Sequence, residues 1–539
     1  MNKTPIATPK GSRACDPVPE SAVVIVVTVV VDVTVVAMGR VSSAVGTVVP
    51  ATGVRRRVML PSPFGINLVL ALMSAIRAAS AMVSIPSLVQ IAAECRGAAA
   101  ASAFLSVKYK ILIHHLPHYP TYAQSAFASS RMGSFRERLH SALEDEVVPF
   151  LALFAKLRDG TQVASETADG HKHMGDKGKP IDKNTVFAWA SLTKLPTTIA
   201  ALQLVEKGSI QLDDDVSSIL PVLGRQPILS GWADDSSPVL KNRRNPITLR
   251  HLLTHSAGTG YDFMSQELQK LHLSRGTVPS QGATIDERFD LPLLFEPGEG
   301  WEYGCGVDWA GKIVEQLSGV SLEAYLHKNV WAPLGATSFT FWPDKNNSKG
   351  SQLATLTRRV RKTGKLAEIK QGLGMNTGAT DCFGGHGGHG SARDLAELLS
   401  SILANDSRVL TPRMVDVMFE NQLSPQSQSV LQNAMRDPTW SVGDFYPGET
   451  YNWGLGGMLI NGSTESKAPF NRGARTLVWS GAAHQFWFID REKGVCGLFM
   501  TQVLSPPPVA DAKIRDLTCA WQQYVYQQVD ARRNVVGKL

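Results

Sequence analysis

Cysteine is scarce in this sequence of 539 residues, and the few cysteines are far apart. Six are present, at positions 15, 95, 305, 382, 496 and 519, and no two of them form a C-x-x-C pair. A disulfide framework or a cysteine-rich zinc site needs closer, more regular spacing. The pattern is typical of reduced intracellular thiols, so we expect a cytoplasmic protein, although the N-terminal region leaves a membrane or targeting role open.

A basic surface is also missing from most of the chain, despite a formal net charge of +7. Residues 1–131 contain 12 of the 54 Lys and Arg residues but only 4 of the 47 Asp and Glu residues. The remaining 408 residues therefore hold 42 basic and 43 acidic side chains. A protein that neutralises phosphates needs a cluster or stripe of positive charge. The main body lacks one, so we expect no nucleic-acid partner.

Three motifs that would assign an enzyme class are absent or incomplete. No G-x-S-x-G occurs, which argues against the nucleophile elbow of an α/β-hydrolase. HLLTH (251–255) lacks the Glu of H-E-x-x-H, and we interpret its histidines, like those of FGGHGGHGSARD (383–394), as structural. The G-x-G-x-x-G within that second stretch follows no apolar strand, so a dinucleotide site is not expected. We therefore predict no metal ligands and no cofactor.

The first 131 residues differ from the rest and are predicted to be a leader outside the catalytic domain. A Val-rich run at about 22–38 is interrupted by Asp32, and a second apolar stretch covers 66–76. A bilayer span needs about 20 apolar residues, and a central Asp opposes insertion. Two interpretations remain open: a poorly structured or mis-started leader, and a membrane or targeting segment.

Regular structure is predicted from residue 132 onward. Two apolar runs in 147–168 flank Asp159-Gly160, a strong hairpin signal, and an apolar helix is expected from near Ser191 to Gly208. Short helical patterns and Gly- and Pro-rich loops fill 210–445. Strands are predicted at 476–490 and 495–503, and a helix at 510–531. This order predicts an α/β (α+β) fold, in which both chain ends close an antiparallel sheet with helices on its faces.

The stretch AWASLTKLPTT (188–198) contains the chain's one S-x-x-K string, formed by Ser191 and Lys194. Such a string arises by chance about once or twice in a chain of this composition, and alone it usually means a surface lysine. In a helix, however, the spacing places both side chains on one face, so the amine can reach the hydroxyl. A serine hydroxyl needs a proton acceptor of this kind to become a nucleophile.

Other stretches supply the context for this pair. ITLRHLLTHSAG (247–258), FEPGEGWEYGCGVDWAG (295–311) and Trp479-Ser480-Gly481-Ala482 follow it along the chain. With these motifs in this order, residues 134–530 resemble the serine β-lactamase and penicillin-binding-protein superfamily. The likeness is to its class C-like esterase branch, and there to the lovastatin-type acyltransferases (transesterases) of fungal polyketide pathways. The resemblance implies a β-lactamase/transpeptidase-like catalytic domain over 132–531, with a largely helical inserted subdomain at roughly 210–445 and a tail at 532–539.

The resemblance also implies roles for individual residues. Ser191 matches the acylated nucleophile, Lys194 the motif lysine, and Tyr303 the tyrosine of the Y-x-N element. Which of Lys194 and Tyr303 removes the proton is left open.

A second set of residues is implied to bind the substrate and its oxyanion. Trp479, Ser480 and Gly481 fall where penicillin-binding proteins carry K-T-G. The backbone amides of Ser191 and Ala482 would then form the oxyanion hole.

Two departures from the family pattern narrow the expected substrate. Gly304 and Cys305 follow Tyr303 where a β-lactamase has Ser and Asn, so a side-chain amide that grips amide substrates is missing. Trp479 replaces a cationic Lys that would hold a β-lactam carboxylate. Both changes favour esters or thioesters over amides and β-lactams.

The expected function is therefore acyl transfer through an acyl-serine intermediate. The partners would be a small-molecule acyl donor, a thioester or ester that a carrier protein could bear, and an alcohol acceptor in secondary metabolism. The alternatives are an ester hydrolase of the same design and a catalytically inactive scaffold. Retention of Ser191, Lys194 and Tyr303 argues against the scaffold.

Overall fold

A computed structural model describes most of the chain after residue 134 and three strands before it. The described residues are 24–36, 58–59, 104–115, 135–169, 180–343, 353–370, 376–446, 448–462, 466–505 and 511–536. The chain divides into two compact units, Met1–Met132 and Gly133–Leu539.

The described part of the first unit is a three-stranded antiparallel sheet. Its strands are β1 (Val24–Val36), β2 (Val58–Met59) and β3 (Phe104–His115), in the order β2-β1-β3. The Val-rich run around Asp32 is thus a β-strand, whereas the apolar stretch 66–76 lies outside the described residues. No helix in the described part of the chain combines the length and apolarity needed to cross a membrane. The leader assignment of residues 1–131 stays a prediction.

The second unit contains fourteen strands within its described residues. They are β4 (Phe150–Leu157), β5 (Gln162–Asp169), β6 (Val186–Ala188), β7 (Ile228–Trp232), β8 (Pro238–Lys241), β9 (Thr357–Arg359), β10 (Leu366–Glu368), β11 (His389–Ser391), β12 (Tyr451–Trp453), β13 (Met458–Ile460), β14 (Thr476–Gly481), β15 (Gln485–Asp490), β16 (Val495–Met500) and β17 (Val503–Leu504).

Twelve α-helices are present in the same described ranges. They are α1 (Phe135–Glu144), α2 (Lys194–Glu206), α3 (Pro221–Arg225), α4 (Leu249–Leu253), α5 (Gln266–Arg275), α6 (Ile285–Phe289), α7 (Gly306–Ser318), α8 (Leu322–Leu326), α9 (Ala392–Ala404), α10 (Pro412–Met418), α11 (Pro425–Ala434) and α12 (Ala512–Val536).

Seven of the strands form one antiparallel sheet in the order β12-β13-β14-β15-β16-β4-β5. The N-terminal hairpin β4-β5 joins the C-terminal strands where β16 pairs with β4, with Met500 opposite Ala152. Every residue of β14, β15 and β16 is buried, so helices cover both faces of the central strands. The helices α9 and α12 both pack on β16. The predicted antiparallel sheet, closed by both chain ends and flanked by helices, is confirmed.

The structure corrects the predicted strands in two places. The stretch 476–490 is not one strand, because a turn at 482–484 separates β14 from β15, and His484 there has a φ of 59°. The strands β12 and β13, which extend the sheet beyond β14, were not predicted. Each has only three residues, too few for a recognisable alternating pattern.

The segment 210–445 has helices as the main regular elements of its described parts, and its assignment as an inserted subdomain stays a prediction. It holds α3 to α11 and two small antiparallel pairs, β7-β8 and β9-β10. The strand β11 returns from this segment to pair with β6, which places the Gly-rich stretch 383–390 beside the start of α2.

We expect a protein that starts at Met132 to fold and to keep its activity. Every strand of the seven-stranded sheet and every motif residue lies beyond that position. The measurement compares thermal unfolding and p-nitrophenyl ester cleavage in the shortened and full-length chains. Aggregation or loss of cleavage in the shortened chain would mean that residues 1–131 belong to the catalytic fold.

Candidate active site

Ser191 lies in a tight 3₁₀ turn, Ala190–Thr193, between β6 and α2. The sequence prediction placed the start of the α-helix near Ser191, but α2 begins at Lys194, so the serine lies just before it. Ala190 has a φ of 46°, a strained conformation for a residue with a side chain and one that clusters at functional sites. The half-buried Ser191 is therefore held next to the positive end of the α2 dipole.

Lys194 is buried, with 2% of its surface exposed, and its amine has three oxygen neighbours. Nζ lies 2.8 Å from the carbonyl oxygen of Gly385, 3.1 Å from Tyr261 Oη and 3.4 Å from Ser191 Oγ. A buried amine needs such partners, because burial without hydrogen bonds is costly. The predicted contact between Ser191 and Lys194 is therefore formed, as the longest of the three.

Tyr261 accepts the hydrogen bond from Lys194 because its own proton is directed elsewhere. The hydroxyl donates to Asp308 Oδ2 at 2.9 Å, and a carboxylate can only accept. Burial, followed by the negative charge of Asp308, raises the pKa of Tyr261 well above its usual range. Tyr261 thus stays a protonated phenol at neutral pH.

Tyr303 adjoins Lys194 through its ring rather than its hydroxyl. Lys194 Nζ lies 4.7 Å from the centre of the Tyr303 ring, within cation–π range. Tyr303 Oη accepts a hydrogen bond of 3.1 Å from the indole Nε1 of Trp479. Among the described residues, no hydrogen bond joins Tyr303 Oη to Lys194 or Ser191.

Trp479 belongs to an aromatic wall that we define as Trp301, Tyr303, Trp440, Trp453 and Trp479. The ring centres of Trp479 and Trp453 are 4.7 Å apart, and those of Trp479 and Tyr303 are 5.0 Å apart. Within the described part of 479–488, Trp479 is the residue whose ring contacts Tyr303. The wall therefore places a mostly buried group of aromatic rings beside Lys194.

The end of β14 lies against the 3₁₀ turn that carries Ser191. A Cβ atom on Gly481 would lie 2.6 Å from the carbonyl oxygen of Trp189, so this approach requires glycine. Ser480 is buried, whereas Ala482, the next residue after Gly481, is exposed. The structure thus brings the segment with the Ala482 amide next to the turn with the Ser191 amide, and their role as an oxyanion hole stays a prediction.

Cys305 occupies the position of the amide-bearing residue in the family's Y-x-N element. Its Sγ donates to the carbonyl oxygen of Gly260 at 3.5 Å, and burial raises the pKa of the thiol well above its usual range. At this position the site therefore holds a buried, protonated thiol that is hydrogen-bonded to the backbone.

The Gly-rich stretch 383–390 packs against the nucleophile turn. Gly385 accepts from Lys194, Gly388 N–H donates to Thr193 Oγ1 at 3.0 Å, and Trp189 Nε1 donates to the carbonyl oxygen of Gly390 at 2.8 Å. Ser391 then caps α9 by accepting from the backbone N–H of Asp394. The Gly-rich stretch is therefore a bend that leads into α9 and supports the turn with Ser191.

The histidines near the site are held by packing and backbone contacts. His251 is part of the capping box of α4, and the ring of His255 lies 4.6 Å from that of Tyr303. Burial, followed by the positive charge of Lys194, lowers the pKa of His255 well below its usual range. Burial also lowers the pKa of His386 to about 4. Both rings are therefore uncharged at neutral pH.

Sequence reasoning missed Tyr261 and Asp308 as members of the site. Tyr261 belongs to no motif, and its contact with Lys194 joins residues 67 positions apart. Asp308 lies in the quoted stretch 295–311, in the first turn of a helix whose neighbouring residues are apolar. A carboxylate with such neighbours was the available signal for a buried functional group.

Comparisons with known proteins identify the family of this chain. The sequence model of the Beta-lactamase family matches residues 151–519. Lovastatin esterase from Penicillium rubens is 35% identical over 389 residues, which cover 69% of this chain and 95% of the esterase. Monacolin J acid methylbutanoyltransferase from Aspergillus terreus is 34% identical over 352 residues, which cover 65% of this chain and 84% of the transferase.

Solved structures give the same result. Unliganded simvastatin synthase from Aspergillus terreus superposes with a TM-score of 0.66 at 30% identity, over 73% of this chain and 97% of the synthase. The hydrolase EstCE1 superposes with a TM-score of 0.57 at 20% identity, a likeness of fold alone. The predicted resemblance is confirmed: this chain belongs to the β-lactamase family, in the branch that contains esterases and acyltransferases.

Proposed function

We propose that the protein transfers an acyl group from a thioester or ester to an alcohol through an acyl-enzyme at Ser191. The observation that carries this proposal is the half-buried Ser191 hydroxyl, 3.4 Å from the buried amine of Lys194 and beside an aromatic wall. The names of the relatives support it, since one is an esterase and others are acyltransferases.

In the first half-reaction, Ser191 Oγ attacks the carbonyl carbon of the donor as its proton passes to Lys194. The amides of Ser191 and Ala482 stabilise the oxyanion, and collapse breaks the bond to the thiol, which leaves with a proton. In the second half-reaction, the alcohol attacks the acyl-serine and loses its proton, and Ser191 Oγ regains one. In this proposal Tyr303 shares the proton transfer with Lys194, as its match to the family's tyrosine implies, and the amine lies over its ring.

Transfer requires the acyl-enzyme to react with the alcohol rather than with water at about 55 M, which calls for a site that excludes water and orients the acceptor. The aromatic wall supports this proposal, because Trp479, Trp453 and Trp301 are all at least 95% buried. The acceptor would be a bulky, largely apolar alcohol of secondary metabolism. The donor would be a thioester, free or borne by a carrier protein.

Ester hydrolysis is the second candidate function. The observation that favours it is the identity of 35% to lovastatin esterase, of which this chain covers 95%. Hydrolysis and transfer use the same nucleophile and differ in the second substrate.

We expect the acyl-enzyme formed from a short-chain acyl thioester to turn over faster when monacolin J acid, the alcohol in a relative's name, is added. Thiol release measures total turnover, and mass spectrometry of the products measures the ratio of new ester to free acid. That ratio should rise with the alcohol concentration. If neither this alcohol nor other polycyclic alcohols change the rate at which free acid forms, the result would favour the hydrolase.

A further inference from the structure

Asp308 is a buried carboxylate whose two oxygens hold two different donors. It lies in the first turn of α7 and has no exposed surface. Oδ2 accepts from Tyr261 Oη at 2.9 Å, and Oδ1 accepts from the backbone N–H of Gly385 at 2.8 Å.

The same two residues provide the closest acceptors of Lys194. Tyr261 Oη and the carbonyl oxygen of Gly385 lie 3.1 and 2.8 Å from Nζ. Because the Tyr261 hydroxyl donates its hydrogen bond to Asp308, a lone pair of Tyr261 Oη is left to face the amine. Because Asp308 also holds the Gly385 N–H, it fixes the neighbourhood of the second acceptor as well.

Gly385 allows this arrangement because it has no side chain. A Cβ atom on Gly385 would lie 2.2 Å from Asp308 Oδ2 and 2.6 Å from Tyr261 Oη. Real Cβ atoms do not approach other atoms this closely, so any other residue would displace the carboxylate or the phenol. Steric crowding thus explains the glycine at position 385, the first of the apparent G-x-G-x-x-G, without a bound nucleotide.

We propose that Asp308 is a positioning residue that, through Tyr261 and Gly385, aims the Lys194 amine at Ser191. With two N–H directions occupied by these acceptors, the remaining direction of Nζ faces Ser191 Oγ. When the amine carries no proton on its third position, this arrangement presents its lone pair to the hydroxyl proton of Ser191. Asp308 touches neither substrate nor Ser191. The inference rests on the proposed roles of Ser191 and Lys194.

Several titratable groups are packed around Asp308. Burial lowers the pKa of Arg288 while the charge of Asp308 opposes that shift, and His386 Nε2 lies 3.8 Å from Oδ1 but is uncharged at neutral pH. The groups that face Asp308 are Tyr261, Arg288, Cys305 and His386, with Lys194 beyond Tyr261.

The test is the near-isosteric change Asp308→Asn. If the Asn oxygen keeps the Gly385 N–H, its NH₂ group faces Tyr261 and turns the phenolic proton toward Lys194. The Tyr261 hydroxyl then donates to the lone pair of Lys194 Nζ, which can no longer accept the proton of Ser191. We expect kcat for p-nitrophenyl ester cleavage to fall about 10²-fold with KM nearly unchanged. The pH midpoint of kcat should move lower, because the variant removes a buried negative charge from the site.

Asp490→Asn is the matched control. Asp490 is also fully buried and also accepts from a tyrosine hydroxyl (Tyr526, 2.9 Å) and a glycine N–H (Gly473, 2.7 Å). It should cost similar stability in thermal unfolding and leave the pH midpoint of kcat in place. Rates are normalised to the concentration of folded protein.

Tyr261→Phe provides a second variant that keeps the inference testable if Asp308→Asn fails to fold. It should lose a similar factor in kcat, and adding Asp308→Asn should reduce kcat little further. Wild-type rates or an unmoved pH midpoint in Asp308→Asn, or multiplicative losses in the double variant, would overturn the inference. A wild-type protein that forms no acyl-enzyme at all would instead refute the proposed function.

Discussion

Replacing Ser191 with Ala should abolish acyl-enzyme formation and reduce kcat by at least about 10⁴-fold. The hydroxyl supplies the oxygen that bonds to the acyl group, and no other residue can replace it in that step. The hydroxyl accepts a long hydrogen bond of 3.4 Å from Lys194 Nζ. Removing the hydroxyl should therefore change the free energy of unfolding by no more than about 1 kcal/mol.

Intact mass after incubation with a fluorophosphonate or a short-chain acyl thioester measures this effect. The matched control is Ser209→Ala, which removes an exposed hydroxyl just beyond the other end of the same helix and should leave labelling unchanged. If folded Ser191→Ala protein still gains the mass of the acyl group, another residue is the nucleophile, and peptide mapping would identify it.

Lys194→Ala and Tyr303→Phe should each reduce kcat by about 10²- to 10⁴-fold, and the double variant should be hardly worse than either. The physical reason is that both side chains serve one proton transfer, so losing the first leaves little for the second to contribute. Lys194→Met keeps most of the buried stem of the side chain and separates lost packing from the lost amine.

The chain offers a matched pair away from the site. Lys207 Nζ donates to Tyr325 Oη at 3.1 Å and lies 5.2 Å from the centre of that ring. Lys207→Ala and Tyr325→Phe should leave kcat for p-nitrophenyl ester cleavage unchanged. Multiplicative losses for the Lys194 and Tyr303 variants would mean that the two residues act in separate steps.

The sequence predicted the parts of the fold that depend on local patterns. Asp159-Gly160 between two apolar runs predicted the hairpin β4-β5, and the apolar run after Lys194 predicted α2. Pro196 did not contradict that helix, because the first N–H groups of a helix have no partner within it. The short strands β12 and β13 could not be predicted, since their place in the sheet depends on pairing with β14 rather than on their own sequence.

The site was predictable only where a motif linked its residues. Ser191 and Lys194 are three positions apart, so helical geometry alone predicted their contact. Tertiary packing brings Tyr261 to Lys194, 67 positions away, and Asp308 to Tyr261, 47 positions away, and no spacing rule connects residues so far apart. The direction in which Tyr303 Oη points depends on the Trp479 indole, which only the folded sheet brings near.

The pairing of β16 with β4 also governs when the molecule can fold. Ala152 and Met500 are partners about 350 residues apart, so the sheet cannot close while the C-terminal strands are still inside the ribosome. Until they emerge, the apolar strand Phe150–Leu157 keeps an unpaired edge. An open edge of this kind pairs readily with other chains. Synthesis of this protein therefore includes a long interval in which a chaperone would protect the nascent chain from aggregation.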